Sequence, residues 1–137
     1  MRIAVILEYD GSRYHGSQIQ QAVLETLPTD GFDIVITHDR AGEYTRHLRH
    51  EEVSRAVMSL WNDKELRSGQ LWTFAYEDGE KKYLPRAIEG ADIIHKLPEE
   101  IFKRKKRIIT EIYGFAPDSF EAKTTPPKEA FWRFGQN

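Results

Sequence analysis

Cysteine is missing from the 137 residues of this chain. Its absence excludes a disulfide framework and any thiolate metal site, so a bound metal would have to take histidine, aspartate or glutamate ligands. The composition suits a reducing compartment, and we expect a cytoplasmic protein.

Long apolar runs and a strong net charge are missing as well. No run approaches the roughly 20 residues that a membrane-spanning helix requires, and Met1–Ile3 leads directly into a strand-like run rather than a signal peptide. The net charge is −2, from 20 basic and 22 acidic side chains. This balance argues against non-specific binding of nucleic acid. The length and a hydrophobic fraction of 39% predict one globular domain with a core.

Apolar patterning predicts alternating strands and helices. Strands are expected near residues 2–7, 32–37 and 70–76, with a further extended segment at 91–97. Helices are expected near 17–27, 47–61 and 98–113. A strand, a helix and a strand within about forty residues favour a parallel βαβ unit. We therefore expect a single α/β domain over residues 1–137, with a three-layer body and a mainly parallel sheet.

The clearest periodic signal is the helix after residue 47. Its apolar side chains recur at i, i+3, i+4, i+7 and i+8, which places them on one face; they are Val53, Ala56, Val57, Leu60 and Trp61. Towards the C-terminus, Gly114 suits the position just after a helix. The aromatic residues beyond it predict that the tail packs on the body of the protein.

A polar segment from Thr37 to His50 joins the second strand to this helix and holds three of the five histidines. Open α/β sheets place their chemistry where a strand ends in a loop that leads into a helix. His47 and His50 have i, i+3 spacing, which makes their imidazoles neighbours if both lie in the first helical turn. The loop 38–46 is therefore the candidate functional site.

Two interpretations of these histidines stay open. Neutral imidazole is a common metal ligand, and the dipole at a helix start disfavours the charged form. A catalytic zinc usually has three protein ligands, so His47 and His50 alone are too few. His38, Asp39 and Glu43 could add ligands. The other interpretation is that two surface histidines occupy a polar helix start.

The basic residues could bind an anionic ligand or could have only structural roles. Arg40, Arg46 and Arg49 could bind a phosphate or a carboxylate, or could form salt bridges with neighbouring glutamates. The run 103–107 is typical of a solvated helix face.

Several of these segments resemble the second half of a PIG-L (LmbE-like) N-acetylglucosaminyl deacetylase. The most specific ones are 32–38, 42–44 and 47–50, and weaker similarity continues through 74–79, 113–115, 119–122 and 129–132. The family has a Rossmann-like α/β fold, in which a strand enters a G-x-Y-G-H-P-D-H type loop that opens a helix. Here Tyr44 and His47 are one residue further apart than usual, and Leu48-Arg49 replaces P-D, but the H-x-x-H spacing is kept.

The resemblance implies a zinc-dependent hydrolase that deacetylates an amino-sugar conjugate or a similar small amide. It implies that His50 ligates zinc and that His47 polarises the substrate or stabilises the oxyanion. The residues implied to contact the substrate are His38, Asp39, Arg40, Glu43, Tyr44 and Arg46.

The family's other motif, H-P-D-D-E, does not follow the first strand here. In the family it supplies two more zinc ligands and the general base. The chain is therefore expected to correspond to the C-terminal portion of such a domain. We expect it to bind zinc weakly, or only as an assembly of two chains, and to be inactive or dependent on a partner.

Two alternatives remain. Tyr9–Gln18 resembles the opening of an A-type tRNA pseudouridine synthase, although Arg40 stands where that family has its catalytic aspartate. The third possibility is a non-catalytic module that forms a homo-oligomer through exposed apolar surface.

Overall fold

A computed structural model describes residues 1–7, 15–27, 31–43 and 47–135. The strands are β1 (Ile3–Ile6), β2 (Phe32–Thr37), β3 (Ser68–Phe74), β4 (Tyr76–Glu77), β5 (Arg86–Ala87), β6 (Ile93–Lys96) and β7 (Lys128–Gly135). The helices are α1 (Ser17–Thr26), α2 (Leu48–Asn62), α3 (Glu99–Arg107) and α4 (Phe120–Thr124). A 3₁₀ turn lies at Gly79–Lys81, and a π-helical turn at Ile108–Ile112 continues α3.

The main sheet has the order β1-β2-β3-β7-β6. Neighbours β1, β2 and β3 are parallel, as the predicted βαβ pattern requires, and all three predicted strands are confirmed. β7 pairs antiparallel with both β3 and β6. The sheet is thus mixed, and the expectation of a mainly parallel sheet holds only for its first three strands. The reason is that the C-terminal tail forms an inner strand, which no local pattern in the sequence indicated.

The core lies between α1, α2 and one face of the parallel strands. Ala4, Val35 and Leu71 stand next to one another across β1, β2 and β3, and all three belong to the buried apolar cluster that includes residues of both helices. The predicted apolar face of α2 is confirmed, because Val57 is fully buried and Leu60 is only 2% exposed. Burial of this face fixes α2, and therefore its first turn, over the sheet.

The opposite face of the sheet carries Val5, Ile36 and Trp72 in register. It is less covered, since Val5 is 54% exposed. The side chain of Lys105, from α3, reaches Glu129 of β7 on this side.

The predicted helix at 98–113 is confirmed as α3 with its π-helical turn, and Gly114 follows it with a φ of +76°. Its apolar residues are largely solvent-exposed, as Ile101 and Ile112 show. The extended segment at 91–97 is confirmed as β6, and the tail packs on the body as β7. Within the described residues, no helix has the combination of length and apolar character needed to cross a membrane.

Candidate metal centre

The candidate site lies at the carboxyl edge of the parallel strands. His38 directly follows β2, and Leu7 directly follows β1. Because parallel neighbours end at the same edge of a sheet, these two residues meet: Nε2 of His38 is 2.5 Å from the carbonyl oxygen of Leu7. The described part of the predicted loop, residues 38–43, is therefore at the edge where it was expected.

A tight turn folds the loop back on His38. The backbone N–H of Gly42 donates to the carbonyl oxygen of Asp39, and Gly42 has a φ of +85°, which glycine adopts without steric cost. The turn brings Oε1 of Glu43 to 2.6 Å from Nδ1 of His38. His38 is 5% exposed and Glu43 is 9% exposed, so the pair is shielded from water.

Asp39 fixes the start of the turn. One carboxylate oxygen accepts a hydrogen bond from the hydroxyl of Thr73 on β3, at 3.0 Å. The other accepts from the backbone N–H of Ala41, at 2.9 Å. Both oxygens are engaged in holding the loop, so Asp39 is a positioning residue in this structure.

His50 enters from the first turn of α2. Its ring stacks on that of His38, with 3.8 Å between the ring centroids and 3° between the planes. Its Nδ1 atom is 3.8 Å from Oε2 of Glu43. Three side chains from one strand end, one turn and one helix start therefore converge.

The donor set of this cluster is two imidazoles and one carboxylate. One ligand atom from each of His38, Glu43 and His50 can be chosen so that all three lie within 4.8 Å of one another. The group could therefore hold a metal ion, and a His₂Glu set is a known arrangement of catalytic zinc with an open fourth position.

Both ring nitrogens of His38 have partners. The carbonyl of Leu7 can only accept a hydrogen bond, so Nε2 donates to it. Nδ1 lies 2.6 Å from Oε1 of Glu43, which is a hydrogen-bond distance. A tetrahedral zinc with bonds of about 2.0–2.2 Å would hold these two atoms roughly 3.3 Å apart, so metal binding would require them to separate.

His47 occupies the N-cap position of α2, makes no side-chain capping hydrogen bond and is exposed. Its ring centroid is 4.6 Å from that of His50. The two histidines of the H-x-x-H pair are thus neighbours, as their spacing predicted, and His47 lies on the solvent side of the cluster.

The remaining predicted residues are dispersed. Arg40 is exposed. Arg49 pairs with Glu52 at 2.8 Å, in accordance with the salt-bridge alternative. Tyr44 and Arg46 lie outside the described residues.

Glu43 also lines a groove on the open face of the sheet. The groove has a volume of about 410 Å³, and its other lining residues are Val5, Ile36, Phe74, Tyr76, Lys105, Glu129 and Phe131. The candidate metal centre therefore adjoins a cleft of the size that small molecules occupy, about 300–1,000 Å³.

Sequence reasoning named every member of this cluster. His50 was the zinc ligand by resemblance, and His38 and Glu43 were named both as possible additional ligands and as residues that contact the substrate. The sequence could not bring the three together, because the H-x₄-E spacing of His38 and Glu43 becomes informative only when the turn at Gly42 is known.

No protein-family model, curated protein or solved structure matches this chain.

Proposed function

We propose that the protein is a zinc-dependent N-deacetylase of the PIG-L (LmbE-like) kind, a hydrolase that cleaves the amide of an N-acetylated amino sugar or a similar small amide. The observation that carries this proposal is the buried His38–Glu43–His50 cluster at the carboxyl edge of a parallel βαβ unit. Zinc suits the donor set better than magnesium or calcium, since two of the three donors are imidazole nitrogens.

His38, Glu43 and His50 would hold the metal. The contact from His38 Nε2 to the Leu7 carbonyl would keep Nδ1 available as the ligand atom, which is the usual function of such outer contacts in metal sites. When bound, zinc would polarise a carbonyl group and lower the pKa of a water molecule.

His47 is proposed as the residue that stabilises the oxyanion. It lies beside His50 at the start of α2, where a ring N–H can face the oxygen of a reacting amide. The N-terminal end of the helix favours developing negative charge at the same place.

We also propose that the body is a three-layer, Rossmann-like arrangement. α1 and α2 form one outer layer, the mixed sheet forms the middle, and α3 forms the second outer layer. The contact between Lys105 and Glu129 supports the position of α3 on the face opposite α2.

Zinc titration by calorimetry tests the metal centre. With one ligand the chain was expected to bind zinc weakly, but three converging ligands lead us to expect one-to-one binding by a single chain. His38→Ala, Glu43→Gln and His50→Ala should each weaken binding by at least about tenfold. His95→Ala is the matched control, because His95 is an exposed histidine on β6. Equal zinc affinity in wild type and His50→Ala would refute the metal centre.

Release of acetate from N-acetylglucosamine and from acetanilide, measured with zinc-loaded protein, tests the reaction on an amino sugar and on another small N-acetyl amide. We expect His47→Ala to keep its zinc affinity and to lower the rate by about 10²–10³-fold, the usual effect of removing an oxyanion donor. Activity that is insensitive to a chelator would argue against a zinc hydrolase. Loss of zinc binding in His47→Ala would reassign His47 as a ligand.

A further inference from the structure

The groove beside the candidate metal centre is built mainly from apolar side chains of four strands. Val5, Ile36, Phe74 and Phe131 contribute to its lining from β1, β2, β3 and β7. Val5 and Ile36 are paired across β1 and β2, and Phe74 and Phe131 are paired across β3 and β7. Its floor is therefore the rigid surface of the sheet.

A series of neighbouring aromatic rings extends from the metal cluster into the groove. The ring of Phe74 lies 6.2 Å from that of His38, measured between centroids. Phe74 also lies 5.4 Å from Phe131 and 6.1 Å from Tyr76. A ligand that extends from the metal centre along the groove would meet these three rings, which favour a flat aromatic partner.

The far end of the groove is polar, but its charges are matched. The hydroxyl of Tyr76 donates to one carboxylate oxygen of Glu129, and the ammonium group of Lys105 contacts the other. The positive charge of Lys105 thus offsets the negative charge of Glu129. This end of the groove therefore carries no unpaired charge, so an uncharged ligand group suits it.

We propose that this groove binds the aromatic ring of a neutral aromatic amide, with the amide group at the Glu43 end. This inference rests on the proposed function and narrows its substrate class. A sugar ring carries several hydroxyl groups, and burial of a hydroxyl without a hydrogen-bond partner is costly. Val5, Ile36, Phe74 and Phe131 offer no such partner, whereas they suit an aryl group.

Two positions on β1 provide a matched pair of variants. Val5 and Ile3 point to the same face of the sheet, and both tolerate a larger side chain because they are 54% and 44% exposed. Only Val5 lines the groove. Val5→Trp should fill the groove, and Ile3→Trp should add the same side chain outside it. Phe131→Leu is a second groove variant, which removes a ring and keeps an apolar side chain.

The first measurement uses the metal-free chain and acetanilide as the probe. Saturation-transfer NMR should show contact between the chain and the phenyl protons in wild type and Ile3→Trp. The signal should be lost in Val5→Trp and reduced in Phe131→Leu. Circular dichroism verifies that each variant is folded. An equal signal in wild type and both groove variants would overturn the inference.

The second measurement uses zinc-loaded protein and two hydroxamates. N-phenylacetohydroxamate, whose ring is on the amide nitrogen as in acetanilide, should bind at least about tenfold more tightly than N-methylacetohydroxamate, since its ring buries additional apolar surface. Val5→Trp should abolish this preference, and Ile3→Trp should retain it. Equal affinities for the two compounds in wild type would contradict the inference about the groove but would not contradict the proposed zinc hydrolase. Acetanilide binding that depends on Val5 in a chain that does not bind zinc would support the groove and refute the proposed function.

Discussion

At the scale of single residues, Glu43 and His50 belong to the same cluster but differ in burial and in their contact with His38. Glu43 is buried and contacts His38 at 2.6 Å. The side chain of His50 keeps 28% of its surface exposed and stacks on His38. Loss of Glu43 would leave the buried Nδ1 of His38 without this carboxylate, whereas loss of His50 would mainly remove ring contact.

We therefore expect the two alanine variants to differ in stability. Glu43→Ala should lower the free energy of unfolding by about 1–3 kcal/mol, the cost of leaving a buried polar atom unsatisfied. His50→Ala should lower it by about 1 kcal/mol or less, as is usual for a partly exposed residue. Urea denaturation of the metal-free proteins measures both values. A larger loss in His50→Ala than in Glu43→Ala would contradict this ranking.

At the scale of elements, the two leucines of α2 differ in burial. Leu60 is 2% exposed within the core, and Leu48 is 60% exposed at the start of the helix. Leu60→Ala should cost about 2–5 kcal/mol, because it removes buried methyl groups and leaves a cavity. Leu48→Ala is the control within the same helix and should cost about 0.5 kcal/mol or less. Thermal or urea unfolding of both variants provides the comparison.

The small hairpin of β4 and β5 provides a prediction on pH. A hydrogen bond from Arg86 lowers the pKa of the Glu77 carboxyl below its ordinary value, and Tyr83 adds to the effect. The carboxylate is therefore the favoured form in the folded hairpin. Its contribution to stability is present above the ordinary pKa of glutamate and is lost as the pH falls through the lowered pKa. Carbon-detected NMR should place the Glu77 titration below that of an exposed glutamate, and Arg86→Gln should raise it again.

The sequence alone predicted the helices and strands that have a characteristic local pattern of apolar residues. The 3.6-residue period of Val53, Val57 and Leu60 predicted α2, and short branched runs predicted β1 and β2. β7 was missed as a strand because the segment 128–135 mixes charged and aromatic residues and lacks the branched apolar run that predicted β1 and β2. The cluster of His38 with Glu43 depended on the turn at Gly42, and no periodic pattern reports the path of a turn.

At the scale of the whole molecule, the candidate metal centre links ligand binding to folding. Its three ligands come from a strand end, a turn and a helix start, so they converge only in the folded chain. Zinc should therefore raise the midpoint of thermal unfolding, and a free concentration 100 times the Kd should add about 2.7 kcal/mol. Excess chelator should reverse the shift. His95→Ala should retain the shift, and a shift retained in His38→Ala would contradict the assignment.

The antiparallel insertion of β7 also has a consequence for synthesis on the ribosome. Phe131–Gly135 pair with Gln70–Phe74, so the outer edge of β3 has no partner until the tail has emerged. The cluster of His38, Glu43 and His50 is contained in the first half of the chain, whereas the groove needs Phe131. A nascent chain could thus assemble its candidate ligands early, with the hydrogen-bonding edge of β3 still open to another strand. Residues 131–135, which are synthesised well after the candidate ligands, close this edge, and Phe131 completes the lining of the groove.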